Sequence, residues 1–204
     1  MRVAIVGGPG VGKSTLVRQL GDLYHHGSYG EGEKGVWDPR VLMDIEAGLN
    51  PVGVTAYFGD LYEANYRDAA DHDRHDRVIF IEGARITLEA HIVEYPPESH
   101  AALHETIKVG DKWKPDCTIV LTSSTDTIEK HIRLRRRAYE QVENMVRRFR
   151  LIDGEFRRLA RSEPNAILLD RDGIEFHERE GLLTVIEAAG LPMFEEVPYR
   201  QIES

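Results

Sequence analysis

Cysteine is almost absent from this chain: Cys117 is the single one among 204 residues. An internal disulfide is therefore excluded, which fits a reducing compartment. Cys117 opens an apolar run and reads as a small buried hydrophobe rather than a nucleophile. Long apolar runs are missing too, and no stretch approaches the ~20 residues that span a bilayer. An apolar strand beginning at residue 2 leaves no room for a secretory leader, so the expectation is a cytoplasmic protein with no membrane partner. Positive charge is also in deficit: 26 Lys and Arg against 35 Asp and Glu give a net charge of −9. That balance argues against non-specific nucleic-acid binding by the whole surface, and leaves room only for a local basic groove. There is no internal repeat and no low-complexity tract. No Asn-Lys-x-Asp guanine motif follows a strand, which argues against a GTPase.

What is present is concentrated at the start. Val3 to Val6 form a short apolar run, followed by Gly7-x-x-x-x-Gly12-Lys13-Ser14. Strand, glycine loop and helix start in this order are the P-loop pattern. Gly7, Gly8, Gly10 and Gly12 let the backbone turn and face its N–H groups inward. The helix N-terminus adds positive potential where phosphates would sit. Lys13 is placed to reach β- and γ-phosphate oxygens, and the Ser14 hydroxyl to ligate Mg²⁺. Gly7, Gly8, Pro9, Gly10, Val11, Gly12, Lys13, Ser14 and Thr15 are thus the expected binding segment for a nucleoside triphosphate.

Beyond it, strands and helices alternate. Strands are expected at 2–6, weakly near 35–37, and at 78–82, 117–122 and 165–170. Helices are expected from Lys13 to Tyr24, from Pro39 to Ala47 with a stop at Gly48, and from about Val52 to Ala70. Others follow at 84–94, from about Ser99 to Val109, after Ser123 or Ser124, and from Glu178 to Ala189. The alternation predicts an α/β fold of three layers, a parallel sheet of about five strands with helices on both faces. Residues 1–204 read as one domain.

Three stretches carry chemistry. Arg77 to Glu82 is a doubly buried strand ending in an acid, and ligands in such sheets sit beyond the strands' carboxyl ends. Glu82 and Arg85 therefore fall beside the P-loop. The helix after Val52 carries Tyr57, Phe58, Tyr62 and Tyr66 with Asp60, Asn65 and Arg67, which suits either core packing or a pocket for an aromatic acceptor. From Glu129 to Arg161, eleven positive charges face five negative ones, a net of +6 that leaves −15 on the rest of the chain. A basic strip near a P-loop would neutralise phosphates in a transition state. By contrast, His25-His26, Asp71 to Asp76 and the His100/His104 pair read as solvated residues rather than metal sites.

The P-loop, the strand ending in Glu82, and Ile119-Val-Leu-Thr with Ile132-Arg-Leu-Arg-Arg-Arg-Ala-Tyr-Glu-Gln141 resemble the deoxynucleoside kinase and thymidylate kinase group of P-loop kinases. The resemblance implies ATP and Mg²⁺ as cofactors, with Ser14 and Glu82 toward the metal. It implies an arginine-rich lid within 130–150, with Arg133, Arg135, Arg136 and Arg137 as candidates and Arg133 and Arg137 foremost. Lys13, Glu82 and Arg85 join them as catalytic candidates, although acid and arginine are usually adjacent in that group. Trp37 resembles the aromatic after the second strand. With Tyr57, Asp60 and Arg67 it marks an acceptor region within 25–75. Glu82, Glu33 and Asp38 are the candidate bases if the acceptor is a hydroxyl, and Glu31 and Glu33 are offset from the acid usual there. Three readings stay open: a kinase of nucleosides or nucleotides, a kinase acting on a larger acceptor such as a modified base in DNA, and a non-kinase NTPase. A homodimer is compatible with each.

Overall fold

A computed structural model describes residues 1–24, 27–30, 38–72, 78–107, 114–135 and 142–193. Among them five strands are formed: β1 (Arg2–Gly7), β2 (Ser28–Tyr29), β3 (Ile79–Glu82), β4 (Cys117–Thr122) and β5 (Ala166–Asp170). All pair in parallel in the order β2-β3-β1-β4-β5, so the strand leading into the P-loop lies at the centre. The α/β sheet expected from the alternation is present.

The helices are α1 (Lys13–Tyr24), α2 (Pro39–Ala47), α3 (Pro51–His72), α4 (Arg85–His91), α5 (Pro97–Thr106), α6 (Thr125–Arg135), α7 (Val142–Ala160) and α8 (Arg179–Ala188). Local chemistry sets several ends. Asp38 caps α2 by accepting from the Arg40 N–H, Pro39 occupies the first turn, and Gly48 closes the helix in the left-handed conformation. The Ser124 hydroxyl accepts the Thr127 N–H at the start of α6.

Four boundaries differ from expectation. The second strand forms at Ser28–Tyr29, inside a glycine-rich stretch that reads as loop; 35–37 lies outside the described residues. Two residues suffice because β2 is an edge strand, paired only to Phe80 and Ile81, with Tyr29 packed against the cluster of Tyr66, Ala69, Ile79 and Ile81. The expected helix over 84–94 tightens after His91 into a 3-10 turn, Ile92–Glu94, ahead of the prolines. The helix expected from Ser99 begins at Pro97, whose fixed φ suits a first turn. The basic stretch is shared between α6 and α7.

The core lies on both sheet faces, as strict alternation along β1 requires. Val3 and Ile5 join Ile119, Leu121, Leu16, Leu20, Phe149 and Val185 on one side. Ala4 and Val6 join Val120, Ile86, Ile152 and Phe156 on the other. Cys117 is buried in the first cluster, and burial pushes its thiol up, as a packing residue rather than a nucleophile. Among the described residues no helix is long and apolar enough to cross a membrane.

Candidate active site

The P-loop leaves the buried strand β1 at Gly7 and enters α1 at Lys13, where the Leu16 N–H donates to Gly12 O at 3.0 Å. Three neighbours pack against the loop at its glycines. A Cβ at Gly8 would lie 2.7 Å from Phe149 of α7, and one at Gly10 would lie 3.2 Å from Ile132 of α6. Gly12 has φ +94°, and a Cβ there would meet Arg171 Nη1 at 2.8 Å. Only glycine satisfies both the dihedral and the contact. Lys13 Nζ donates to Gly8 O at 3.2 Å, folding its charge over the loop.

Glu82 arrives from β3, whose register sets it opposite Ile5 of β1. Its side chain is buried, at 3 % exposure, and Oε1 accepts the Ser14 hydroxyl at 2.9 Å. The Gly83 N–H donates to Ile5 O at 3.1 Å, so the chain stays in the sheet one residue beyond the acid. The Tyr62 ring then occupies the space at Gly83, 2.2 Å from where a Cβ would stand. A hydroxyl and a carboxylate brought together at the first turn of α1 form a hard-oxygen pair suited to Mg²⁺. Among the described residues no group of three His, Cys, Asp or Glu is arranged to hold a metal by itself.

The β4 and β5 ends supply groups that the sequence did not single out. Arg171 follows β5 and is 6 % exposed. Its Nη1 donates to Val11 O at 2.9 Å, its Nη2 to Ile174 O at 3.2 Å, and its guanidinium lies 4.6 Å over the Phe176 ring. Asp172 accepts from the Ser123 hydroxyl at 2.5 Å and from the Ser124 N–H at 3.1 Å, which clamps the two strand ends together. Desolvation alone would raise the Asp172 carboxyl, but the hydrogen bonds from Ser123 and Ser124 bring it down to about 2. Burial first, and then the Arg171 charge, push the His131 imidazole of α6 below its usual range. A charged residue directly after the last strand was the available signal for Arg171, but its partner lies 160 positions away.

The expected site residues fall into two sets. Gly7 to Thr15 and Glu82 are brought together. Arg85, Arg133 and Arg67 instead hold acids one helical turn away: Arg85 with Glu89 at 2.7 Å, Arg133 with Glu129 at 2.6 Å, and Arg67 with Glu63 at 3.0 Å. All three arginines are more than half exposed, so these pairs contribute at most ~1 kcal/mol each. Asp60 is exposed on α3. The half-buried Tyr57 meets Phe58 edge to face at 5.4 Å, whereas Tyr62 and Tyr66 belong to the core at 1 % exposure. Asp38 is engaged by its cap and by the Arg40 guanidinium at 2.9 Å, which holds its carboxyl below the usual range. Glu31, Glu33, Trp37, Arg136, Arg137 and the side chain of Arg135 lie outside the described residues.

A second, partly buried charge cluster ties the end of α4 and its 3-10 turn to α7. Glu94 accepts from Arg148 Nε at 2.5 Å and Nη2 at 3.0 Å, and its other contact is His91 Nδ1 at 2.5 Å. Burial would raise the Glu94 carboxyl, but His91 and Arg148 prevail and hold it at about 2. Phe149, the next residue, is the one that packs on Gly8.

No protein-family model matches the chain, and no curated protein matches its sequence. Solved structures do match over nearly the whole length. Deoxyadenosine kinase from M. mycoides aligns at 13 % identity over 93 % of this chain and 99 % of its own, with TM-score 0.69. Thymidylate kinase from Candida albicans aligns at 14 % identity over 93 % and 92 %, with TM-score 0.65. Thymidylate kinase from Ehrlichia chaffeensis aligns at 12 % identity over 94 % and 98 %, with TM-score 0.59. At such identities the likeness is one of fold: the chain shares the fold of these deoxyadenosine kinase and thymidylate kinase structures.

Proposed function

We propose that the protein transfers the γ-phosphoryl group of ATP to a nucleoside or nucleotide. The observation that carries this reading is the Ser14–Glu82 contact at 2.9 Å, which sets a buried carboxylate against the P-loop at the carboxyl end of β3. The fold shared with nucleoside and nucleotide kinases supports it. In this reading Gly7 to Thr15 bind the triphosphate, with N–H groups of the loop and Lys13 facing its oxygens. Ser14 and Glu82 hold Mg²⁺, which when bound neutralises charge on the β- and γ-phosphates. Arg133 and Arg137 belong to a lid within 130–150, and Arg133 exchanges its exposed Glu129 partner for phosphate oxygens at small cost. Arg85 faces the acceptor, whose region within 25–75 includes Trp37, Tyr57, Asp60 and Arg67. One domain thus contains donor cradle, lid and acceptor region.

A turnover panel tests this. ATP consumption is followed with nucleosides, nucleotides, and single-stranded or duplex DNA as acceptors. Turnover that depends on a nucleoside or nucleotide supports the proposal. Phosphate retained on DNA moves the acceptor to a polymer, and hydrolysis indifferent to acceptor rejects kinase function.

A further inference from the structure

Arg171 has no part in the scheme above, yet it is a buried positive charge in contact with the P-loop. Its guanidinium is enclosed at 6 % exposure, and Nε has no hydrogen-bond partner among the described residues. Burying an arginine with an unsatisfied nitrogen costs stability, and an apolar side chain would fill this place between Phe176 and the loop with no such cost. Besides its bond to Ile174 O, the guanidinium adds a directed bond to Val11 O at 2.9 Å and sets its charged Nη1 2.8 Å from the position of a Gly12 Cβ.

The direction of that bond matters. The Val11–Gly12 peptide is planar and trans, so its C=O and N–H point opposite ways. A carbonyl held toward Arg171 turns the Gly12 N–H away from that side chain. We propose that Arg171 is a positioning residue for the donor phosphates: it orients the Gly12 N–H through the Val11 carbonyl and places a buried positive charge beneath the cradle. Its own position is fixed independently of any ligand. The Arg171 N–H donates to Thr122 O at 3.0 Å, Phe176 supports the guanidinium face, and Asp172 is clamped by Ser123 and Ser124. The inference rests on the P-loop being the triphosphate site, and not on the identity of the acceptor.

The test uses the full chain, with Arg171→Met and Arg171→Lys as variants. Binding of a non-hydrolysable ATP analogue with Mg²⁺, and of inorganic tripolyphosphate with Mg²⁺, is measured by titration well below each variant's melting temperature. Arg171→Met is expected to weaken both probes by the same factor, roughly ten- to a hundredfold, the scale of one charge-assisted hydrogen bond. Arg171→Lys, which keeps the charge, is expected to recover part of the loss. A role in packing alone would lower the melting temperature and leave both affinities within about twofold, which overturns the proposal. Loss confined to the ATP analogue overturns it as well, since it would place the effect at the nucleoside. Should Arg171→Met fail to fold, Arg171→Gln, which is polar but uncharged, takes its place, and affinities for both probes within about twofold of the wild type refute the role. A wild-type chain that binds neither probe rejects the triphosphate reading and this inference with it; wild-type binding that Arg171→Met retains rejects this inference only.

Discussion

The Ser14 hydroxyl and the Glu82 carboxylate meet at 2.9 Å, although 68 positions separate them in the chain. Parallel pairing of β1 with β3 brings them together, and the buried acid has no role in the apolar packing around it. Glu82→Gln keeps an oxygen for the Ser14 hydroxyl and loses only the charge. We expect an intact fold, a melting temperature near that of the wild type, and phosphoryl transfer reduced by roughly 10²-fold or more. Initial rates with a saturating acceptor and a thermal melt on one preparation check this. Full activity would remove Glu82 from the mechanism.

Glu94 gives the protein an acid-sensitive joint. Its carboxyl lies at about 2 in the fold, against an ordinary 4.5, so the folded state binds its proton more weakly than the unfolded chain does. The stabilisation is complete above the ordinary value and drains away as pH falls from about 4.5 through about 2, on the order of 3 kcal/mol in all. Glu94→Gln should cost a similar amount at pH 7 by leaving Arg148 without its counter-charge. The gap between variant and wild type should narrow at pH 3. Urea unfolding at the two pH values measures it, and a gap independent of pH would refute the assignment.

Gly8 and Phe149 are packed too closely for any side chain at position 8. Gly8→Ala places a methyl 2.7 Å from the ring and should destabilise by roughly 1–3 kcal/mol. Phe149→Leu removes the obstructing edge. The double variant should therefore be more stable than the sum of the single effects by about 1 kcal/mol. Additive losses would mean that the loop yields without involving α7.

Asn65 is 1 % exposed, and among the described residues neither its Nδ2 nor its Oδ1 has a hydrogen-bond partner. A buried amide without partners costs about 1–3 kcal/mol, and an apolar residue of similar volume escapes that cost. Asn65→Leu should raise the melting temperature by about 2–4 °C per kcal/mol gained. A fall of that size, read by calorimetry, would show that the amide is satisfied after all.

How much of this could be read from the residues depended on distance along the chain. Val3 to Val6 and Cys117 to Leu121 announce strands buried on both faces, because doubly covered strands are apolar without interruption. The P-loop is legible because its whole geometry is local. Glu82 is legible because an acid ending an apolar run must emerge at the carboxyl edge. Ser28–Tyr29 is not, since an edge strand of two residues leaves no periodicity. Arg171 resembles any arginine in a turn until β5 is set beside β4 and the Val11 carbonyl appears across 160 positions. Glu94 and Arg148 are hidden in the same way, each looking like a solvated helix charge until the two helices meet.

The central place of β1 has a consequence for how the protein comes into being. The strand that leads into the P-loop is made before both of its neighbours, β3, starting at Ile79, and β4, starting at Cys117. At ribosomal rates of about 5–20 residues per second, β1 waits on the order of ten seconds for its second neighbour. Arg171 is synthesised later still. The nascent chain therefore carries its central strand unpaired until β3 and β4 have been made, and gains the Arg171 contact to the P-loop only when β5 docks.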